Sequence, residues 1–528
     1  MSFYVLLLSQ FLFLNSLLAL KLYKSENKLD AVLKTPELIK SHGYQVEIHN
    51  VVTEDGYILE IHRLPCGQYD CEKNFARRKR PVLIQHGLAG SSADWILMGP
   101  ARALAYTLAD AGFDVWLGNN RGNIYSRNHT TILPTDRNFW NFSYHELGIY
   151  DIPAIIDYIL DRTIYEKLFY IGHSQGSTQF WVTMSQKPNY NTKVKLMIGL
   201  APVAFTGNIR GPLTKLAKLT YLGVRIGEAF GYPELRSRSA WGKFVSNVLC
   251  RDTTVLFCNN ILFLVTGFKQ TNLSAMNLST IMNHVPAGAS WKQVVHFGQG
   301  YIHPDHFREF DYDNSEKNYK IYNSLEPPEY KLNKVTAPVA LFSSDNDLLA
   351  TKTDVGLLKS KLGNVVYHNE VSIKSFSHYD FIWGTSSVSV IFEPILKLLL
   401  MNLSTIMNHV PAGASWKQVV HFGQGYIHPD HFREFDYDNS EKNYKIYNSL
   451  EPPEYKLNKV TAPVALFSSD NDLLATKTDV GLLKSKLGNV VYHNEVSIKS
   501  FSHYDFIWGT SSVSVIFEPI LKLLLFYE

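Results

Sequence analysis

A serine stands at the centre of the pentapeptide Gly172-His173-Ser174-Gln175-Gly176. Residues 169–172 have the apolar composition of a strand, and residues 175–185 have helical apolar spacing. A nucleophilic serine needs a sharp strand-to-helix turn, which lifts its hydroxyl clear of its neighbours, and flanking glycines avoid collisions there. The pentapeptide therefore predicts Ser174 as the nucleophile of an acyl transfer. The alternative is a structural turn whose serine does no chemistry.

A second turn that contains glycine, Gln85-His86-Gly87-Leu88-Ala89-Gly90, follows the strand-like run at residues 81–85. Acyl transfer needs hydrogen-bond donors for the developing oxyanion, and a turn in this position supplies one of them. The predicted donors are the backbone N–H groups of Leu88 and Gln175. The alternative is a glycine turn without a catalytic role.

A serine nucleophile also needs an acid and a histidine, which in this arrangement follow the serine in that order after late strands. Asp345 and Asp347 follow one late strand-like run, and His378 follows the next. His378 is predicted to take the proton of Ser174 and to return it to the leaving alcohol, while the acid orients the imidazole. Both aspartates qualify by position, and the residues alone favour neither.

The elements that must position these side chains alternate along the chain. Strand-like apolar runs occur at residues 81–85, 113–118, 169–172, 196–201, 339–343 and 365–369. Helical spacing occurs at residues 102–110, 150–160 and 175–185. Continuous apolar strands that alternate with helices predict an α/β fold with a mostly parallel sheet flanked by helices. Residues 205–330 indicate helices and loops, and we expect them to form a cap inserted between sheet strands.

Residues 276–400 recur without substitution as residues 401–525. Two origins explain a perfect copy: a very recent internal duplication, or a defect in the assembly of the sequence. The repeated part brings strand-like runs whose neighbours lie upstream of residue 202 and occur once. We therefore expect one working unit completed by the first copy, because docking the second copy would loop out 125 residues at a further cost of about 2 kcal/mol.

Composition is typical of a globular protein, with 45% hydrophobic residues, 19% charged residues and a net charge of +3. A charge so near balance gives no indication of nucleic acid binding.

The first twenty residues are almost wholly apolar, which favours a signal peptide, with a retained membrane anchor as the alternative. No later segment approaches the roughly eighteen apolar residues that a membrane span requires, so the mature chain is expected to be soluble.

The four cysteines form two close pairs, Cys66 with Cys71 and Cys250 with Cys258. In an oxidising compartment both pairs could close small loops. Five glycosylation sequons begin at Asn128, Asn141, Asn272, Asn277 and Asn402. Together with the apolar leader, these features favour the secretory route. His303 and His306 could place two metal ligands close together, but they are interpreted as cap surface, and no metal centre is expected.

Several stretches together resemble the acid lipase family, which includes gastric lipase and lysosomal acid lipase. The resemblance runs from about residue 30 to residue 400. Beside the two turns, the matching stretches are Ala111-Gly112-Phe113-Asp114-Val115-Trp116, Asn120-Arg121-Gly122-Asn123, Pro286-Ala287-Gly288-Ala289-Ser290, Lys317-Asn318-Tyr319 and His378-Tyr379-Asp380-Phe381-Ile382-Trp383.

The resemblance implies an α/β-hydrolase fold with a helical cap, and it maps the family's functional residues onto this chain. The nucleophile maps onto Ser174, the acid onto Asp347 rather than Asp345, and the base onto His378. The oxyanion donors map onto Leu88 and Gln175, and the implied reaction, hydrolysis of triacylglycerols or sterol esters, uses no cofactor. A family disulfide in the cap maps onto Cys250 and Cys258, with a spacing one residue shorter.

The chain departs from the family pattern at three places. Ser343-Ser344-Asp345 stands where the family usually carries glycines, and Thr351 replaces an acidic residue. The tandem copy is foreign to the family, and its Asp472 and His503 are the twins of the mapped acid and base. The expected organisation is a signal peptide (1–20), the first part of the hydrolase core (21–204), the cap (205–330), the second part of the core (331–400) and the incomplete repeat (401–528).

Two classes of function are compatible with these features. The first is a secreted or lysosomal lipase that cleaves neutral lipid esters and acts at a lipid–water interface. The second is a non-catalytic lipid-binding or storage protein that kept the scaffold, which predicts a broken triad or a blocked oxyanion turn. The sequence does not indicate the oligomeric state, the acyl length or the pH optimum.

Overall fold

The computed structural model describes residues 32–68, 71, 79–211, 213–235, 280–281, 283–400, 413–498, 501–509 and 511–528. The chain forms two compact units that divide between Glu393 and Pro394. The expected signal peptide, the Cys250–Cys258 pair and the sequons at Asn272, Asn277 and Asn402 lie outside the described residues.

The first unit contains a central sheet of nine strands. Its strands are β1 (Glu47–Val52), β2 (Tyr57–Leu64), β3 (Pro81–Gln85), β4 (Asp114–Leu117), β5 (Asn128–His129), β6 (Leu168–His173), β7 (Val194–Leu200), β10 (Val339–Ser344) and β11 (Val365–Val371). Two short strands of the insertion, β8 (Glu234–Leu235) and β9 (Ala289–Ser290), pair with each other. The order across the sheet is β1-β2-β4-β3-β6-β7-β10-β11, and β5 lies beside β2.

The strands from β4 to β11 along this order are parallel, whereas β1, β2 and β5 pair in antiparallel fashion. Every residue of β3, β6 and β10 is buried. Burial on both faces requires apolar side chains at successive positions, which explains the continuous apolar runs in the sequence. The expectation of a mostly parallel sheet flanked by helices is confirmed.

The helices of the first unit flank this sheet or belong to the insertion between β7 and β10. They are α1 (Thr35–Ser41), α2 (Leu104–Asp110), α3 (Ile152–Arg162), α4 (Gln175–Gln186), α5 (Leu213–Ala217), α6 (Thr220–Phe230), α7 (Trp291–Ile302), α8 (Ser315–Tyr322), α9 (Lys352–Lys361) and α10 (Asp380–Trp383). The next helix, α11 (Glu393–Leu400), begins where the two units divide. A helical turn at Tyr144–Glu146 and a π-helical turn at Leu147–Asp151 lead into α3.

The insertion has a small hydrophobic core of its own. Val224 of α6 and Val295 of α7 pack with Tyr232 and Phe310. Helices α5 to α8 and the β8–β9 pair all lie within this insertion. The described part of the insertion, which contains helices α5 to α8, therefore interrupts the sheet between β7 and β10.

Sequence reasoning named no strand before residue 81, although β1 and β2 precede it. The first five residues of β2 alternate, with Tyr57, Leu59 and Ile61 buried and the two residues between them partly exposed. This two-residue period is the signal of a half-buried antiparallel strand. The signal was therefore present, but it differs from the continuous apolar runs that mark the parallel strands.

The second unit repeats the local structure of residues 276–400 without the rest of the sheet. Its elements are β12 (Val464–Ser469), β13 (Val490–Val496), α12 (Trp416–Ile427), α13 (Ser440–Tyr447), α14 (Lys477–Lys486), α15 (Asp505–Trp508) and α16 (Glu518–Tyr527). Strands β12 and β13 pair in parallel with the same register and the same irregularity as β10 and β11. In the first unit β10 also pairs with β7, so the first copy completes the nine-stranded sheet.

Large apolar side chains of the second unit face solvent. Trp416, Phe422 and Tyr426 of α12 are 78%, 71% and 89% exposed. Across the described residues, no helix combines the length and the apolar character needed to span a bilayer.

We predict that residues 401–528 do not unfold cooperatively when produced alone, because a two-stranded sheet with little buried apolar surface is marginal in water. A chain that ends at residue 400 should unfold cooperatively, since all nine strands of its sheet are present. Near-UV circular dichroism and urea unfolding of both fragments would test this. A sharp transition in the isolated repeat would contradict the prediction.

Candidate active site

The turn between β6 and α4 holds Ser174 in a strained backbone conformation, with φ 52° and ψ −121°. A positive φ is uncommon for residues other than glycine and persists only where the surroundings enforce it. A Cβ at Gly172 would lie 2.7 Å from the carbonyl carbon of Gly176. A Cβ at Gly176 would lie 2.3 Å from the carbonyl oxygen of Gln85. Glycine is therefore required at both flanking positions by close backbone contacts.

Three side chains that lie far apart in the sequence form a continuous hydrogen-bonded chain. His378 Nε2 lies 2.8 Å from the hydroxyl oxygen of Ser174. On the other side of the ring, His378 Nδ1 lies 2.8 Å from Oδ2 of Asp347. The side chains of His378 and Asp347 are 2% and 0% exposed. The second candidate acid, Asp345, is instead exposed and pairs with Lys352 at 3.2 Å.

The buried carboxylate of Asp347 has several compensating partners. Burial by itself raises its pKa, but the charge and hydrogen bond of His378 and two backbone N–H groups outweigh that effect and lower the pKa below its usual value. These N–H groups, of Leu349 and Ala350, donate to Oδ1 at 2.8 and 2.9 Å. The ionised carboxylate accepts a hydrogen bond from Nδ1–H of His378, which leaves Nε2 free to accept the proton of the serine.

The two predicted oxyanion donors belong to segments next to the nucleophile, the glycine turn and the start of α4. Gln175 is the first residue of α4, so its N–H has no intrahelical acceptor. Among the described residues neither this N–H nor that of Leu88 donates to another group. A Cβ at Gly87 would lie 3.2 Å from Cβ of Ser174, which shows how closely the glycine turn approaches the serine.

A buried histidine orients the peptide that carries the Leu88 N–H. His86 Nε2 accepts hydrogen bonds from the backbone N–H of Asn120 at 3.1 Å and from Nδ2 of Asn123 at 3.3 Å. The proton of the neutral ring therefore resides on Nδ1, which donates to the carbonyl of Gly87 at 2.8 Å. Burial lowers the pKa of His86 to about 4. Because the Gly87 carbonyl and the Leu88 N–H belong to one peptide plane, this hydrogen bond fixes the direction of the N–H.

His173, beside the nucleophile in the pentapeptide, contacts the segment that carries His378. Its Nε2 donates to the backbone carbonyl of His378 at 2.9 Å. Burial, followed by the nearby charge of His378, lowers the pKa of His173 to about 3. His173 therefore remains a neutral donor that joins the serine turn to the histidine segment. No sequence signal links positions separated by 205 residues.

The remaining predicted sites lie away from this centre. Cys66 and Cys71 form a disulfide. The sequon residues Asn128 and Asn141 are exposed. His303 lies 2.7 Å from the hydroxyl of Tyr221, and His306 pairs with Glu329. In the part of the chain that the structure describes, no group of three or more potential metal ligands comes together.

Asp94 is a buried carboxyl beside the glycine turn and is only 4% exposed. A Cβ at Gly90 would lie 2.1 Å from Oδ2 of Asp94, so the carboxyl lies directly against this turn. Burial raises the pKa of Asp94 to about 7, although a hydrogen bond from the backbone of Ser91 opposes the increase. The group is therefore largely protonated up to nearly neutral pH.

Comparison with known families and proteins gives consistent matches. A model of the partial alpha/beta-hydrolase lipase region matches residues 35–99, and a model of the alpha/beta hydrolase fold matches residues 80–217. The chain is 37% identical to gastric triacylglycerol lipase of Bos taurus over 373 residues, which cover 70% of this chain and 92% of that protein.

Two further relatives match over similar lengths. Lipase 3 of Drosophila melanogaster is 40% identical over 365 residues, covering 68% of this chain and 91% of the relative. Lysosomal acid lipase/cholesteryl ester hydrolase of Homo sapiens is 37% identical over 383 residues, covering 71% of this chain and 94% of that protein. Among solved structures, an esterase from Exiguobacterium antarcticum has a TM-score of 0.40 and 11% identity, covering 66% of this chain and 98% of its own.

We predict that Gly176→Ala lowers the free energy of unfolding by about 3 kcal/mol, because its methyl group would overlap the backbone of Gln85. Gly356→Ala in α9 is the matched control, since no atom lies within 4 Å of its added Cβ. In this control variant the higher helix propensity of alanine should raise the free energy of unfolding by about 1 kcal/mol. Urea unfolding of both variants would measure the two changes. Equal effects would contradict the prediction.

Asp94→Asn should stabilise the protein increasingly as pH rises. The folded protein holds the Asp94 proton to about pH 7, whereas the unfolded chain releases it near pH 4. The wild type therefore loses stability between these values, and the neutral amide does not. By pH 8 the free energy of unfolding of the variant should exceed that of the wild type by about 4 kcal/mol, with little difference at pH 4.

Urea unfolding at both pH values would measure the effect of this substitution. Asp345→Asn, at an exposed carboxylate, is the control and should change stability by less than about 0.5 kcal/mol at either pH. A difference between Asp94→Asn and the wild type that is the same at pH 4 and pH 8 would refute the explanation.

Proposed function

Since the chain belongs to the acid lipase family of α/β-hydrolases, a family of carboxylic ester hydrolases, we propose that it cleaves the esters of neutral lipids with Ser174 as nucleophile. The observation that carries this proposal is the hydrogen-bonded chain from the Ser174 hydroxyl through His378 to Asp347. We further propose that the insertion between β7 and β10 acts as a cap over this site.

The geometry supports a two-step acyl transfer. As the Ser174 oxygen attacks the ester carbonyl carbon, its proton passes to Nε2 of His378, and the ionised Asp347 stabilises the resulting imidazolium. The carbonyl oxygen becomes an oxyanion, which the N–H groups of Leu88 and Gln175 are positioned to bind. Collapse breaks the bond to the alcohol, which leaves with the proton from His378. A water molecule, activated by the same histidine, then releases the acid from the acyl-enzyme.

The substrate class follows from the relatives, one named a triacylglycerol lipase and another a cholesteryl ester hydrolase. We propose triacylglycerols or sterol esters, met at a lipid–water interface, as the substrates of this chain. The proposed chemistry needs no cofactor, because the protein supplies the nucleophile, the base and the oxyanion donors.

The second copy carries the proposed acid and base again but, in our proposal, has no catalytic role. His503 Nδ1 lies 2.9 Å from Oδ2 and 3.1 Å from Oδ1 of Asp472. The side chain of His503 is 46% exposed. Among the described residues of the second unit, no serine hydroxyl bonds to His503 Nε2. A base without a nucleophile cannot begin acyl transfer.

Three features support passage through the secretory pathway, to the extracellular space or the lysosome. The sequence begins with an apolar leader, and Cys66 is paired with Cys71. Asn128 and Asn141 offer exposed sequons for glycosylation. These are the features of a chain folded in an oxidising compartment.

We predict that Ser174→Ala and His378→Ala each reduce kcat/KM by about 10⁴-fold or more, because the nucleophile and base act as one unit. His503→Ala is the matched control, since its local sequence is identical, and it should retain the activity of the wild type. Hydrolysis of a long-chain and a short-chain ester by purified proteins would measure these effects. If the wild type hydrolyses neither ester faster than Ser174→Ala, the proposal fails and a lipid-binding role is favoured.

A further inference from the structure

The segment that enters the insertion after β7 lies against the loop that carries Asp347. The guanidinium of Arg210 donates through Nη2 to the backbone carbonyls of Asp345 at 2.9 Å and Asp347 at 3.0 Å. The backbone N–H of Arg210 donates to the carbonyl of Leu348 at 2.8 Å. Arg210 therefore donates hydrogen bonds to three backbone carbonyls of the loop that carries Asp347.

A second contact joins the insertion to the first turn of α9, which directly follows this loop. Nδ2 of Asn208 donates to Oδ1 of Asp354 at 2.8 Å, and the backbone N–H of Asn208 lies 3.1 Å from Oδ2. The carboxylate of Asp354 is buried, and Thr351 also donates to its Oδ2 at 2.9 Å. The insertion is therefore attached both to the loop between β10 and α9 and to the first turn of α9.

The second copy has the same loop sequence but lacks counterparts of Asn208 and Arg210, which lie outside the repeated part. In both copies Oδ1 of the aspartate accepts two backbone N–H groups, but in the first copy only Oδ2 of Asp347 bonds to the histidine. In the second copy both oxygens of Asp472 lie within 3.1 Å of His503 Nδ1. The acid and the histidine thus meet with a different geometry where the Arg210 contacts are missing.

We infer that Arg210 is a positioning residue for the acid of the triad. It holds the backbone on both sides of the Asp347 side chain, and so directs one carboxylate oxygen at Nδ1 of His378. The hydrogen bonds of Arg210 that join the start of the insertion to this loop then also align the acid. This inference rests on the proposed function, because it assigns the alignment a catalytic consequence.

Arg210→Ala tests the inference on a soluble short-chain ester, which separates alignment of the acid from contact with a lipid surface. We expect kcat to fall about 10-fold to 100-fold, with KM little changed. The acid limb of the pH profile of kcat/KM should move to lower pH, because a misaligned carboxylate stabilises the imidazolium of His378 less. Loss of the Arg210 charge would by itself favour the imidazolium and move this limb to higher pH, so a shift to lower pH reports the alignment of the acid.

Arg225→Ala is the matched control for this substitution. Arg225 also belongs to the insertion, is exposed, and pairs through Nε with Asp313 at 2.7 Å. Its removal should leave kcat and the acid limb as in the wild type. Arg210→Lys keeps one donor group for the carbonyls and should recover part of the lost kcat. If Arg210→Ala does not fold, Arg210→Lys and Arg210→Gln provide the same comparison through partial losses.

The outcomes separate this inference from the proposed function. If the wild type is active and Arg210→Ala matches Arg225→Ala in kcat and in the acid limb, Arg210 only attaches the insertion and the inference is overturned. A change confined to KM has the same meaning. If the wild type is no more active than Ser174→Ala, the proposed function itself fails.

Discussion

The contact between the buried carboxylate of Asp347 and the imidazole of His378 is the constraint on which the rest of the site depends. A buried charge is costly unless it is paired and hydrogen bonded. Here the compensation comes from His378 and from the backbone of Leu349 and Ala350. The contact joins the loops after β10 and β11, and it reaches Ser174 after β6 because parallel strands end at one edge of the sheet.

Around this contact, neutral buried groups hold the geometry. His86 directs the peptide that carries one proposed oxyanion donor, and His173 holds the backbone of His378. Burial keeps both rings uncharged, so each presents a single donor with a defined direction. Such preorganised donors need no rearrangement when charge develops during a reaction. Two histidines of the motifs thus contribute orientation, in contrast to the third histidine, which the proposed mechanism uses as a base.

Much of the fold and of the candidate site could be predicted from local patterns. The glycines around Ser174 and the apolar strands follow from short-range sterics and from burial on both faces of a sheet. The local pattern did not distinguish Asp345 from Asp347 as the acid, because both residues follow the same strand. In the structure the loop forms a turn in which the N–H of Asp347 donates to the carbonyl of Ser344. Asp347 is buried and Asp345 is exposed. The hydrogen bond between His173 and the carbonyl of His378 could not be predicted from the sequence either, because it depends on packing between distant segments.

The repeated part shows which features of the structure the local sequence does not determine. Residues 276–400 and 401–525 are identical, and they adopt matching strands, registers and acid–histidine contacts, because hydrogen bonds between near neighbours are set by the local chain. Yet the side chain of His378 is 2% exposed and that of His503 is 46% exposed. The sequence determined the pairing of acid and base. Only the tertiary structure decided which pair lies buried beside a serine, because the remaining strands and the serine turn occur once.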